Sequence, residues 1–144
     1  MLYSFRFYIS WIISAVLMFS AFYIWHGVFL NDLKNITFPI FIFFGLAALV
    51  YLVISYVLFR IFESKLFNKL FEAPMLRGIM SGASLGFILF SLVTVLAISF
   101  TNRLNFTYLI ADFAWQIIEQ VIGGFIIALG KIIIFEHNHS AIRD

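Results

Sequence analysis

Residues 109–135 read LIADFAWQIIEQVIGGFIIALGKIIIF, a run long enough to cross a hydrocarbon layer yet interrupted by Asp112, Gln116, Glu119 and Gln120. Its reading decides the fold. A helix needs roughly 20 mainly apolar residues to cross a layer about 30 Å thick, and 109–135 meets that length with its polar residues confined to part of its circumference. Seven residues turn a helix through almost two full turns, so Asp112 and Glu119 fall on one stripe, shared with Gln116, Gly123 and Gly130. A carboxyl at the centre of a span costs on the order of 2.5–3.5 kcal/mol on insertion scales, which is tolerable if the stripe is turned toward protein or enclosed water. The segment therefore reads as a span with one protected side.

Three further stretches qualify, at about 7–30, 37–59 and 78–100. The 144-residue chain is 64% hydrophobic and 11% charged, with a mean hydropathy of +1.08, so little is left to build a soluble domain. The expected class is all-α: a four-transmembrane-helix antiparallel bundle forming a single membrane domain over 1–144, since short links make successive helices antiparallel neighbours. With four spans, Arg6, Arg60, Lys65, Lys69, Arg77, Lys131 and Arg143 share one side, against Lys34 and Arg103 on the other. The positive-inside bias then places both termini in the cytoplasm.

The connection between spans two and three, RIFESKLFNKLFEAPMLR, repeats Phe62, Leu66 and Leu70 every four residues, with Phe67 and Phe71 beside them. That is the period of a short amphipathic helix lying in the interface and ending before Pro74, because the residue ahead of a proline is pushed from helical angles.

RGIMSGASLGF places Gly78, Gly82 and Gly86 at four-residue spacing, a pattern that lets helix backbones approach closely in lipid. Gly123 and Gly124 offer a similar small surface on the last span, so spans three and four are expected to pair. His26, about one turn below the outer boundary, should lie at the depth of Asp112. His26, Asp112, Gln116 and Glu119 thus form a candidate intramembrane polar cluster, either a static clamp between helices or a proton or ion relay. Ser20 and Ser91 lie at the depth of Glu119 and are candidate partners for it.

Cysteine is absent, His26 is the sole intramembrane histidine, and the EHNHS tail has no frame to hold a metal, so no cofactor, haem or metal is expected. The nine basic residues are scattered, which argues against nucleic acid as a partner. No phosphate loop, nucleophile elbow or helical zinc pair appears, so a catalytic role is not expected. Trp11, Trp25 and Trp115 read as interfacial anchors.

WHGVFL closing the first span, RGIMSGASLGF opening the third and AWQIIEQVIGGFIIALG in the fourth resemble a group of small four-span bacterial inner-membrane proteins without known activity. The resemblance implies a bacterial inner-membrane setting and a compact four-helix unit. The leading expectation for function is an accessory or assembly subunit of a larger membrane complex, with lipids and other membrane subunits or further copies of the chain as partners. The alternative is a small proton- or ion-coupled transporter or channel using Glu119, Asp112 and His26, and a third reading is an enzyme acting on lipid.

Overall fold

The computed structural model describes residues 5–100 and 106–140, with side chains over 8–31, 33–96 and 106–133. It is helical almost throughout: α1 (Phe5–Tyr23), a π-helical turn (Ile24–Phe29), a 3-10 turn (Asp32–Asn35), α2 (Ile40–Phe62), α3 (Lys65–Leu70), α4 (Pro74–Phe100) and α5 (Phe106–Ser140). Among the described residues, four segments are long and apolar enough to cross a membrane: Tyr8–Phe29, Ile40–Phe62, Pro74–Leu96 and Phe106–Ile133. The chain is a multi-pass membrane protein. At about 1.5 Å per residue α5 runs roughly 50 Å, longer than the hydrocarbon layer, so its last turns extend beyond it.

Prolines set two boundaries differently from the expectation. The second span begins at Ile40 instead of residue 37, because Phe38 precedes Pro39 and is kept out of the helical region. Pro39 then accepts at its carbonyl from the N–H groups of Ile42 and Phe43, at 3.0 and 3.1 Å. The third span begins at Pro74 instead of residue 78, since a proline in the first turn lacks only an N–H that would be unpaired anyway. Arg77 is thereby helical.

The helices meet in a defined order. α5 packs on α4 most extensively, then on α1 and α2; α1 also packs on α2, and α2 on α4, while α1 and α4 make no close backbone approach among the described residues. On α4, Gly78 lies beside Gly124 and Ala128, Gly82 beside Gln120 and Val121, and Gly86 beside Gln116 and Ile117. Four residues forward on α4 are four residues back on α5, so the two run in opposite directions with glycine letting backbone touch backbone. Gly123, expected on the same seam, lies instead against Met18 of α1 and Leu58 of α2, because neighbouring helical positions point about 100° apart.

Hydrogen bonds tie α1 to its neighbours. Ser14 Oγ donates to the Gly123 carbonyl at 3.1 Å, Trp11 Nε1 to the Leu52 carbonyl at 2.9 Å, and Ser55 Oγ to the Trp11 carbonyl at 3.0 Å. Buried polar residues Ser14, Ser55, Ser81, Glu119 and Gln120 sit inside with Met18, Leu58, Phe62 and Ile127, whereas Phe41, Phe29, Val28 and Val95 point outward. This is the arrangement lipid imposes: acyl chains accept apolar side chains at no cost, and polar groups must find partners within the protein.

The connection between α2 and α4 carries a short helix, as expected, but with narrower bounds than the Phe62-to-Phe71 periodicity suggested. Phe62 belongs to α2 and is fully buried; only Lys65–Leu70 is helical, with Ser64 Oγ capping it by accepting from the Phe67 N–H at 3.3 Å. The corner is organised by buried Arg77, which donates to the carbonyls of Phe71 and Glu72 at 3.1 and 3.2 Å and to Asn68 Oδ1. Its guanidinium also lies 5.1 Å from the centre of the Phe62 ring, and Lys131, ion-paired with Glu63, lies 5.9 Å from the same ring. A lysine carries the charge but not the planar fork that reaches three acceptors at once. Arg77→Lys is expected to lower stability by about 1–2 kcal/mol, measured as an earlier unfolding midpoint in mixed micelles; an unchanged midpoint would show that charge alone suffices.

Candidate functional site

The site is built where the first span loses its regular winding. After Tyr23 the helix widens to π geometry, and the Leu30 N–H reaches back five residues to the Trp25 carbonyl at 2.8 Å. Such wide turns are uncommon and recur at functional sites. The segment closes at Asn31, whose φ of 58° is left-handed, a conformation asparagine tolerates better than most residues. At its middle, a side chain on Gly27 would press on Leu33 at 3.1 Å, so the turn is packed against the link that follows.

Trp25 and His26, consecutive in this turn, both line a cavity of about 280 Å³ whose wall comes from all four spanning segments. α1 and its π extension supply Phe22, Trp25 and His26; α2 supplies Tyr51; α4 supplies Phe90, Val93 and Thr94; α5 supplies Leu109, Asp112, Trp115, Gln116 and Glu119. The four polar residues singled out on the sequence, His26, Asp112, Gln116 and Glu119, thus border one cavity. Asp112 and Glu119 are separated by roughly 10 Å along α5, one toward the start of the helix and one at its middle.

Asp112 Oδ1 accepts from Trp25 Nε1 at 3.2 Å, so the bond from α1 to Asp112 is made by the residue before His26. Trp25 also stacks on Trp115, with ring centres 4.6 Å apart and planes within 10°. These two tryptophans, expected as separate interfacial anchors, instead join α1 to α5 at the cavity. His26 packs against Phe22 at 4.9 Å between ring centres. On the α4 side, Phe90 meets Phe113 of α5 edge-to-face at 4.9 Å.

Glu119 is 2% exposed. Its carboxyl is hydrogen-bonded with the Tyr51 hydroxyl of α2 and accepts from Gln120 Nε2 at 3.1 Å. Ser20 and Ser91 are not its partners: each hydroxyl donates to the carbonyl four residues earlier in its own helix, Val16 and Phe87, both at 2.8 Å. Serine in an apolar helix can satisfy itself this way without a neighbour. Tyr51 was not singled out on the sequence, where it is one aromatic among many in a helix apolar on every side; a polar hydroxyl at mid-span depth is the one signal that marked it.

Among the described residues, three buried side-chain polar atoms have no hydrogen-bond partner: Ser81 Oγ, Gln120 Oε1 and Trp115 Nε1. The last belongs to a side chain on the cavity wall. Among the described residues no three His, Cys, Asp or Glu side chains come together as a metal-ligating group. The side chains of Glu136, His137 and His139 lie outside the described residues.

No family model matches this chain, and neither a curated protein nor a solved structure does.

Proposed function

We propose that this chain is a small proton- or ion-coupled transporter of the bacterial cytoplasmic membrane, with Glu119 as the exchanging group and Asp112 and His26 nearer the entrance. One observation carries the reading: a cavity walled by all four spans reaches a carboxyl buried at mid-span. An intramembrane carboxyl is costly, and one facing a cavity is the usual arrangement of ion and proton pathways. The groups facing Glu119 are Tyr51 from α2 and Gln120 from α5, with Gln116, Asp112 and His26 along the same cavity. Exchange of a proton requires the bonds to Tyr51 and Gln120 to open and re-form. The reading includes a non-enzymatic role, an antiparallel four-helix bundle with both termini cytoplasmic, and α3 lying in the cytoplasmic interface, as the distribution of basic residues supports.

The accessory-subunit reading draws no support from the glycine stripe, because Gly78, Gly82, Gly86 and Gly124 are occupied within the chain. It is favoured by an apolar groove of about 300 Å³ between α1 and α5 lined by Ile9, Ile13, Ile126, Leu129 and Ile133, into which a partner helix could pack.

Proteoliposomes carrying the purified chain and an internal pH dye separate the two. A pH-driven flux in the parent that falls to the level of empty vesicles in Glu119→Gln, with helicity intact, is the expected result. A flux equal in both, or absent from the parent, removes the transporter reading. Co-purification of a fixed stoichiometry of another polypeptide in mild detergent would then favour the subunit.

A further inference from the structure

We infer that the cavity between the four spans is a binding site for a small organic ammonium ion carrying an oxygen acceptor, a choline-like cation held between the Trp25–Trp115 pair and Asp112. The inference rests on the transporter reading and names the class of solute that the cavity admits.

The composition of the wall selects a cation. Among the described residues, Asp112 and Glu119 are its acidic groups, no Lys or Arg lines it, and His26 is the one other ionisable group besides Tyr51. It then selects among cations. A bare metal ion stripped of water requires a nearly complete shell of oxygen or nitrogen ligands, and no group of three His, Cys, Asp or Glu side chains assembles among the described residues. Aromatic rings dominate instead: Phe22, Trp25, Tyr51, Phe90 and Trp115. Ring quadrupoles attract a charge spread over methyl groups, and aromatic walls with a carboxylate nearby are the chemistry that recognises quaternary ammonium. Such an ion has no N–H to satisfy, so it tolerates a wall with few acceptors.

Size and an unpaired donor narrow the class further. About 280 Å³ is at the lower end of ligand pockets, enough for a compact cation and too little for an extended amphiphile. Trp115 Nε1 is buried without an acceptor, and an ammonium cannot supply one. A hydroxyl or ester oxygen on the same molecule can. Asp112, with one oxygen already accepting from Trp25 Nε1, has acceptor capacity left to face the positive head. Glu119, roughly 10 Å further along α5, stays available for the coupled proton.

The stacked pair makes its own reporter. In nanodiscs, intrinsic tryptophan emission is followed while the chain is titrated with choline or with its uncharged carbon analogue, in which a tert-butyl group replaces the trimethylammonium. Trp11, in the first half of α1 and bonded to the Leu52 carbonyl of α2, provides a constant background. The expected result is a saturable change with choline, none with the analogue, and at least tenfold weaker binding in Asp112→Asn, with Asp112→Glu retaining more affinity than Asp112→Asn. Equal responses to choline and analogue, or no saturable response to choline, overturn the inference without recourse to any variant. Equal affinity in Asp112→Asn and parent overturns the assignment to Asp112. The proton-flux assay is run on the same purified chain in proteoliposomes with a choline gradient imposed: Glu119-dependent flux without choline binding sinks the ammonium site and leaves the transporter, whereas choline binding without flux leaves the site and sinks the transporter.

Discussion

Gly82→Ala should unfold at markedly lower denaturant than the parent, with a loss of about 3 kcal/mol or more, at or beyond the upper end of ordinary overpacking. A Cβ at this position would run into the Gln120 carbonyl oxygen and stand 2.7 Å from both the Gln120 carbonyl carbon and the Val121 Cα. These are backbone atoms, and no rotamer change can move them aside. The helices must separate, taking with them the contact of Gly78 on Gly124. Gly86→Ala should be milder, about 1 kcal/mol, because its Cβ would stand 3.0 Å from Gln116 O and Ile117 Cα. Gly45 has nothing within 4 Å of an added Cβ, and there alanine should be neutral or stabilising by up to about 1 kcal/mol through helix propensity. Circular dichroism during titration of dodecylmaltoside micelles with sodium dodecyl sulfate ranks the three; coincident midpoints for Gly82→Ala and Gly45→Ala would contradict the close α4–α5 seam.

Glu119→Leu sets two physical expectations against each other. Hydropathy favours the change, since leucine at a span centre is better than an acid by roughly 3 kcal/mol on insertion scales. Packing opposes it. With the carboxyl gone, the Tyr51 hydroxyl and the Gln120 amide lose their partner inside the protein, and each buried group left unpaired costs about 1–3 kcal/mol. The folded bundle should therefore lose about 3 kcal/mol even though the span inserts more readily. Tyr51→Phe alone should lose about 1 kcal/mol, and the double variant Tyr51→Phe/Glu119→Leu should lose less than the sum, because the two residues share one interaction. Glu119→Gln keeps groups able to bond both neighbours and should stay close to the parent in stability. Unfolding midpoints of the four variants decide the matter: a stabilised Glu119→Leu would mean that the carboxyl is not partnered within the chain.

The particular residues legible in advance were those whose cost depends on their own span. Asp112 and Glu119 could be placed on one protected stripe because helical periodicity and hydrocarbon depth are properties of a single segment. Gly78, Gly82 and Gly86 announced a close approach for the same reason. Partner identity was a different problem: Ser20 and Ser91 matched Glu119 in depth, but depth carries no azimuth, and both hydroxyls had a carbonyl within their own helix. Trp25 and Trp115 had the composition of anchors, and their stacking joins the π turn after α1 to α5, a contact between segments that neither segment's own sequence contains.

Sequence alone therefore determined that four segments are long and apolar enough to cross a membrane, how short links connect them, and which side of the last helix must avoid lipid, since backbone hydrogen bonding and transfer into hydrocarbon are settled segment by segment. Only the tertiary structure decided that Tyr51 answers Glu119, that Trp25 answers Asp112, and that all four helices close around one cavity. In water a hydrophobic stripe would have declared the inner face of each helix. In lipid the inner and outer faces are equally apolar, and it is the fit of backbones, glycines and a few hydrogen bonds that chooses between them.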